Sequence, residues 1–313
     1  METTQTNARP GWDSAAWNEW KVGLPKGIYY ARLPRQRVWE NTLDIILNGG
    51  YVTSEGKAVD IEGADSMLQG TKVYQDAYDM SACPEQGTTL TWVENGDCLF
   101  LGKKLIEKGY KPAVLNYSSQ QKACGDIDKG VKGQEQDILR RTNLAQAQAQ
   151  FFTTKWSDML HVENKGNAYP LDDENGCMYT PGVTVFRLPE FFRYELLDEP
   201  FRLDIISCGA VKRVEGEKPE AEYDELTRKR MRAIFRAGLA NGNDALVLGG
   251  WGCGAHNNSP ETIANLFHEV MNEPEFKGRY RAVVFACAAQ PTRNEPLGRF
   301  APFGRLFGMA SER

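Results

Sequence analysis

The side chains suited to proton transfer, nucleophilic attack or charge stabilisation gather in one stretch, 113–152, which reads A-V-L-N-Y-S-S-Q-Q-K-A-C-G-D-I-D-K-G-V-K-G-Q-E-Q-D-I-L-R-R-T-N-L-A-Q-A-Q-A-Q-F-F. Cys124 offers a thiol, Asp126 and Glu135 offer carboxylates, and Gln134 and Gln136 offer amides. Their setting is an apolar run ending in Asn116, then a polar segment punctuated by Gly125, Gly130 and Gly133, then helix formers beginning at Gln134. Strand, glycine-bearing loop and a helix with a polar first turn present backbone N–H groups to an anionic ligand at a sheet edge. Asn116, at the carboxyl end of its strand, is expected to touch that ligand. Glu135 has a plainer role as well, since an acidic residue in a first turn is favoured by the helix dipole.

A second stretch has the same grammar. The apolar run 245–248 flows into G-G-W-G-C-G-A-H-N-N at 249–258, and Ser259 and Pro260 are suited to the N-cap and first turn of a following helix. Gly250, Gly252, Cys253, Gly254, Ala255 and Asn257 are the candidate ligand contacts here. Trp251 reads as core, and Cys253 as a small buried packing residue. His256 would make a thiol–imidazole pair with Cys124 if the two loops face one another. The simpler alternative is two independent loop residues.

These loops need elements to position them. Apolar spacing predicts a helix over 36–48, stopped by Gly49-Gly50, and a small hairpin of 51–53 with 58–61. A strand at 88–93, a helix at 97–108 and a strand at 113–117 form a βαβ unit. One long helix is expected from 134 towards 152, followed by an irregular functional loop or insertion over 153–182. Strands are expected at 183–187, 201–207, 245–248 and 282–287, with a helix over 222–241. Trp12, Trp17, Trp20, Tyr29 and Tyr30 mark an N-terminal arm whose aromatics dock on a neighbouring surface, and 288–313 reads as a tail packed on the body. Alternating strands and helices make the class α/β with a mixed or largely parallel sheet, ligands binding at the carboxyl ends of strands.

Composition limits the function classes. The 313 residues are 41% hydrophobic and 25% charged, ordinary globular values that exclude disordered and fibrous classes. A net charge of −5 gives no reason to expect a nucleic acid as partner. Seven scattered cysteines without a CxxC pair, and three distant histidines, fit reduced thiols better than a disulfide framework or a zinc site. No metal and no cofactor is expected. The first ten residues lack an apolar core and no run reaches membrane-spanning length, so the expectation is a soluble protein with no membrane partner, cytoplasmic or, in a eukaryote, nuclear, and not secreted.

N-Y-S-S at 116–119, the glycine-bearing loop, Q-E-Q at 134–136, and L-V-L-G-G-W-G-C-G-A-H-N-N-S-P at 246–260 resemble the microbial-type poly(ADP-ribose) glycohydrolases. T-L-D-I-I-L-N-G-G-Y-V-T-S-E-G-K-A-V-D-I at 42–61 and the last strand extend the resemblance over most of 36–290. It implies a three-layer α/β/α macrodomain-like fold with a mixed sheet and an N-terminal helical extension. The expected division is 1–75 as that extension packed on the core, 76–295 as the catalytic or binding domain, and 296–313 as a tail. The implied ligand is ADP-ribose or a related nucleotide sugar, free or on an ADP-ribosylated protein, with the pyrophosphate on the second loop and the distal ribose on the first. The implied chemistry is cleavage of an O-glycosidic bond at the ribose.

The family marks its site by three glycines, six to eight residues, then Gln-Glu-Glu, the second Glu acting as acid and base. Here the three-glycine position is Cys124-Gly125-Asp126, and 127–133 lead to Gln134-Glu135-Gln136, so the catalytic Glu falls on Gln136. His256 stands where the family usually has an aromatic. An amide cannot donate a carboxyl proton, and acid–base help is worth roughly 10²–10⁴-fold. Two functions stay open: an enzyme with altered chemistry drawing on Glu135, Gln136, Asp126, Cys124 or His256, or a catalytically weak ADP-ribose reader. A single inactivating exchange at 136 is disfavoured, since it would leave the glycines intact.

Overall fold

Runs such as Ala113-Val114-Leu115 and Leu246-Val247-Leu248 are apolar without alternation, the signature of parallel strands covered on both faces. In the computed structural model they lie at the centre of a seven-stranded mixed sheet. The structure describes residues 9–17, 19, 28–76, 78–80, 85–287 and 297–310. Trp20, the segment 288–296 and residues 311–313, all part of expectations above, lie outside the described residues, as do the side chains of Tyr29 and Tyr30.

The strands are β1 (Gly50–Val52), β2 (Ala58–Asp60), β3 (Lys72–Tyr74), β4 (Leu90–Glu94), β5 (Pro112–Asn116), β6 (Cys177–Arg187), β7 (Leu196–Ser207), β8 (Ala245–Gly249) and β9 (Ala282–Ala286). The helices are α1 (Ile28–Asn48), α2 (Ala64–Gly70), α3 (Cys98–Glu107), α4 (Gln134–Arg141), α5 (Leu144–Ala149), α6 (Thr154–Met159), α7 (Glu220–Ala240), α8 (Pro260–Met271) and α9 (Ala301–Phe307). The main sheet runs β3-β6-β7-β5-β8-β9-β4, and β1 pairs with β2 as a separate hairpin. β5 is parallel to β7 and β8, β9 is parallel to β8 and β4, and β3 is antiparallel to β6. All residues of β5, β8 and β9 are buried.

The expected βαβ unit takes a different form. β4 and β5 are parallel, yet β8 and β9 stand between them, so the connection through α3 crosses two strand positions that later chain fills. The long helix from 134 is also broken. Thr142 is extended, with φ −142°, and forms an isolated antiparallel bridge with Val185, while Asn143 Oδ1 accepts the Thr184 N–H at 2.8 Å. Strand pairing at these two residues outweighs the helix propensity around them, giving α4 and α5 instead. The 153–182 stretch is not wholly irregular, since it contains α6 and the start of β6. β6 and β7 begin earlier than the apolar pattern suggests, because Pro181-Gly182 and Asp198-Glu199-Pro200 interrupt the hydrophobic signal inside real strands.

Contacts group the chain into two units of interleaved segments. The first holds Met1–Gln69, Cys124–Asn167 and Val183–Arg202, and the second Gly70–Ala123, Ala168–Gly182 and Leu203–Arg313. In the first, the arm docks as expected for two of its aromatics. Trp17 is buried against Tyr194 with ring centroids 5.8 Å apart, and Trp12 lies 4.9 Å from the Arg187 guanidinium. In the second, the core is rich in aromatics, and α9 adds Phe303 and Phe307 to it, the latter stacked on Phe285 at 4.1 Å. The tail is therefore part of the core of its unit. No described helix is long and apolar enough to cross a membrane.

Candidate functional site

In the first unit, α1 braces the loop and helix that carry Cys124, Glu135 and Gln136. Thr42 Oγ1 on α1 donates to the Arg140 carbonyl at 2.6 Å, and Gln36 Nε2 donates to the Asp128 carbonyl at 3.0 Å. Arg140 reaches back from α4 to the loop, its Nη2 donating to the Val131 carbonyl at 2.8 Å and its Nε to the Arg35 carbonyl at 3.2 Å. Arg187 on β6 donates to Thr42 Oγ1 at 3.2 Å, to the Tyr194 carbonyl at 3.0 Å and to Asn41 Oδ1. Asp137 on α4 is held from two sides, by Tyr194 OH at 2.9 Å and Arg141 Nη1 at 2.8 Å. Arg140, Arg141 and Arg187 are fully buried, and burial pushes the Arg187 guanidinium down to about 9. A buried charge persists only where its donors are satisfied, and these donors are spent on backbone and side-chain oxygens, with Arg140 reaching the loop through the Val131 carbonyl.

The loop then turns tightly over the start of α4. Cys124 and Gly125 are both left-handed, with φ +58° and +52°. At Gly125 a Cβ would sit 2.5 Å from Gln136 Nε2 and 2.7 Å from Glu135 Oε2, so any side chain there would have to displace the ends of both. Cys124 therefore stands where glycine suits the backbone, at a cost of roughly 1–2 kcal/mol. Its N–H donates to Gln148 Oε1 on α5 at 2.9 Å, which helps hold the strained turn. The thiol is wholly buried, and burial together with the Glu135 carboxylate pushes it well above the usual thiol range. That environment opposes the thiolate a nucleophile needs. Asp126 has φ −111°, open to any residue, and its carboxylate lies 3.1 Å from Lys129 Nζ.

Gln134, Glu135 and Gln136 open α4, and the Gln136 amide turns back so that Nε2 donates to Glu135 Oε2 at 3.1 Å. Glu135 is 4% exposed. The structure thus brings Cys124, Gly125, Glu135 and Gln136 together. The Gln136 amide thus gives the Glu135 carboxyl a hydrogen-bond donor in an otherwise covered site.

In the second unit, β7, β5 and β8 are parallel neighbours, so the loops leaving their carboxyl ends lie side by side. Asn116 ends β5 fully buried, its Nδ2 donating to Ser207 Oγ on β7 at 2.9 Å, while its Oδ1 has no partner among the described residues. The Ser118 hydroxyl is in the same position. Gln120 joins two of these loops. It donates to the Asp172 and Gly176 carbonyls at 2.7 and 3.0 Å and accepts the Gly209 N–H at 2.9 Å.

The loop after β8 is organised from below by Trp251 and from one side by Asn258. Trp251 is wholly buried and its Nε1 donates to the Cys208 carbonyl at 3.1 Å. Asn258 Nδ2 lies 2.8 Å from the Val211 carbonyl and 3.3 Å from those of Gly252 and His256, and its Oδ1 accepts Arg213 Nε at 2.8 Å. At Gly250 a Cβ would run into the Phe300 ring. Gly252 has φ +74°, another backbone that favours glycine. Cys253 is a packing residue as expected, 5% exposed, with its thiol pushed up to about 12 by burial. Gly254, Ala255 and Asn257 are exposed, and Arg299 Nη2 donates to the Cys253 carbonyl at 2.7 Å.

His256 is partly buried, and burial, with Lys212 and Arg230 adding to it, lowers its pKa. Cys124 and His256 belong to different units. Among the described residues no group of three or more His, Cys, Asp or Glu is placed to hold a metal ion.

The family model described as microbial-type PARG, catalytic domain, matches residues 40–188. Those residues are similar to the microbial-type PARG catalytic domain. The structure of the poly(ADP-ribose) glycohydrolase (PARG) from Thermomonospora curvata is 26% identical, with a TM-score of 0.70, covering 87% of this chain and 99% of that one. The same protein bound to the inhibitor ADP-HPD gives 26% identity and a TM-score of 0.68, covering 87% and 98%. PARG from Deinococcus radiodurans, in complex with ADP-ribose, is 24% identical with a TM-score of 0.62, covering 79% and 98%, a likeness of fold. No curated protein matches the chain.

The expected three-layer, macrodomain-like α/β class is thus observed as a PARG-like glycohydrolase fold. The PARG match includes the first loop and the whole of α4, and ends before the W-G-C-G loop. Sequence reasoning missed Gln120, Gly209, Asn258, Arg140, Arg187 and Tyr194. Isolated polar residues in a single sequence give no signal of their own. The one hint was Asn258 standing beside Ser259 at a helix start.

Proposed function

We propose that this chain is an ADP-ribose glycohydrolase-like enzyme with altered catalytic residues, acting on ADP-ribose units or a related ribosyl nucleotide. Recognition is assigned to Asn116 and to the 249–258 loop, with Gly250, Gly252, Cys253, Gly254, Ala255 and Asn257 against the pyrophosphate. The altered chemistry falls to Glu135. The observation that carries this is the Gln136 amide donating to Glu135 at 3.1 Å, where the family sequence pattern has a second carboxyl. Glu135 then serves as a carboxylate that stabilises an oxocarbenium-like ribose or receives a proton from water, without a partner acid for the leaving oxygen. The PARG match and the ligand-bound relatives support the substrate class.

A catalytically weak reader of ADP-ribosylated protein is the second candidate, favoured by the protonated, buried Cys124 thiol, which removes one alternative nucleophile. Calorimetry with ADP-ribose, paired with release of ADP-ribose from poly(ADP-ribose), separates the two. Binding with slow release that disappears in Glu135→Gln supports the enzyme. Binding with no release supports the reader, and absence of binding rejects both.

A further inference from the structure

The turn between β6 and β7 holds two adjacent aromatic side chains out in solvent. Phe191 is 87% exposed and Phe192 52% exposed, their rings edge to face with centroids 5.1 Å apart. Arg193 follows, also exposed. Single exposed apolar residues are ordinary, but a paired aromatic surface beside a cation is the composition of a contact surface.

This turn is built to keep that surface in place. The Phe192 N–H donates to the Pro189 carbonyl and the Arg193 N–H to the Glu190 carbonyl, both at 2.8 Å, and the Leu188 N–H donates to the Glu195 carbonyl at 2.9 Å. Arg35 on α1 grips both carboxylate oxygens of Glu190 through Nε at 3.1 Å. Trp12 Nε1 donates to the Arg193 carbonyl at 2.9 Å, and Tyr194 OH ties the turn to Asp137 on α4 at 2.9 Å. Arg193 and Tyr194 are consecutive left-handed residues, φ +56° and +57°, neither of them glycine. Strain of that kind persists where surrounding contacts over-determine it, and it concentrates at ligand clamps.

We propose that Phe191, Phe192 and Arg193 form a stacking platform for the adenine and phosphates of a further unit of the polymer whose reacting ribose is held at Glu135. This rests on the ADP-ribose function proposed above. Glu135 and the platform belong to the same unit, joined through Asp137 and Tyr194. Their exposures differ sharply, 4% against 87%, so the reacting group sits in a covered site while the rings meet parts of a ligand that remain in solvent. A base offers a flat π-face to an exposed ring whatever its identity, and the adjoining pyrophosphate offers negative charge to Arg193.

The test compares binding of ADP-ribose and of a defined oligo(ADP-ribose) to the full chain and to Phe191→Ala/Phe192→Ala. Wild type is expected to bind the oligomer more tightly than the monomer. The double variant should lose roughly 5- to 100-fold in oligomer affinity and keep its monomer affinity, the range expected for one stacked base. Phe191→Trp should retain the oligomer preference, and Arg193→Gln should reduce its dependence on salt. Equal wild-type affinity for monomer and oligomer overturns the platform while leaving ADP-ribose binding intact. So does an unchanged oligomer affinity in a double variant that sediments as a smaller species, which would make the rings a contact between copies of the chain. Binding of neither ligand removes the ADP-ribose function itself, and the platform with it.

Discussion

The loop leading into α4 and the loop leaving β8 look alike in sequence and are held in opposite ways. The β8 loop has glycine where φ is positive or a ring presses in, at Gly252 and Gly250, and one side chain, Asn258, ties two of its carbonyls to that of Val211. The α4 loop has Cys124 at a left-handed position and an amide at 136, and it is braced by the buried Arg140, which donates to the Val131 carbonyl of the loop and to the Arg35 carbonyl of α1. The difference teaches that one sequence grammar can be held in two ways: glycines and a single amide side chain hold the β8 loop, whereas a strained non-glycine turn and a buried arginine hold the α4 loop.

The largest effect expected from this contrast is at position 136. Gln136→Glu places a second carboxyl about where the amide now donates, 3.1 Å from Glu135 Oε2. Two carboxylates so close cannot both ionise easily, so one pKa rises and a proton donor appears. Release of ADP-ribose from poly(ADP-ribose) should then rise by roughly 10²–10⁴-fold. No gain, with the fold intact by circular dichroism, would falsify the idea that the rest of the α4 loop has kept a working geometry, and would direct attention to Cys124 and Asp126.

The opposite side of the comparison is tested at Asn258. Asn258→Ala removes the donor to the Val211 carbonyl and the acceptor for Arg213, both in buried or partly buried surroundings. Leaving such groups unpaired should cost about 1–3 kcal/mol in urea unfolding. ADP-ribose affinity measured by calorimetry should fall with it, because the β8 loop loses its tie. A stability loss with unchanged affinity would separate that loop from recognition.

How much of this could be read beforehand depends on the kind of signal. β5, β8 and β9 were plain, because strands buried on both faces must be apolar throughout. The start of α8 was plain too, with Ser259 Oγ accepting the Thr262 N–H at 3.0 Å. The α4–α5 break was hidden, since Thr142 and Asn143 are dictated by pairing with Val185 and Thr184, more than forty positions away in the chain. At the site, Cys124, Gly125, Glu135 and Gln136 were legible through motif spacing. Arg140, Arg187 and Tyr194 were not, because a buried arginine serving backbone carbonyls has the same letter as a surface one.

A smaller effect distinguishes the two loops by backbone strain. Cys124→Gly releases a left-handed non-glycine residue but loses the buried thiol and its Cβ, whereas Cys124→Ala loses the sulfur and keeps the strain. The glycine variant should therefore be more stable than the alanine variant by about 1 kcal/mol, the reverse of the order expected at an ordinary helix or strand position. Chemical denaturation of both variants side by side reads this directly. An alanine variant that is the more stable of the two would mean the turn relaxes, and the strain assigned to this loop would be absent.

The smallest effect belongs to His256 in the β8 loop. Burial is the main cause of its lowered pKa, and the cations Lys212 and Arg230 act in the same direction. The unfolded chain then binds its proton more readily than the folded one does, so stability rises with pH across the interval between the folded and unfolded values. The contribution is complete above the ordinary histidine value of about 6.5 and is lost as pH falls from there towards the folded pKa. Melting temperature followed downward from pH 8 should decline through that window, and the decline should be shallower in His256→Gln. An identical slope in both proteins would assign the pH dependence to the carboxylates and leave the imidazole as freely solvated as a surface histidine. The α4 loop carries no imidazole, so the difference in slope between the wild type and His256→Gln reports on the β8 loop.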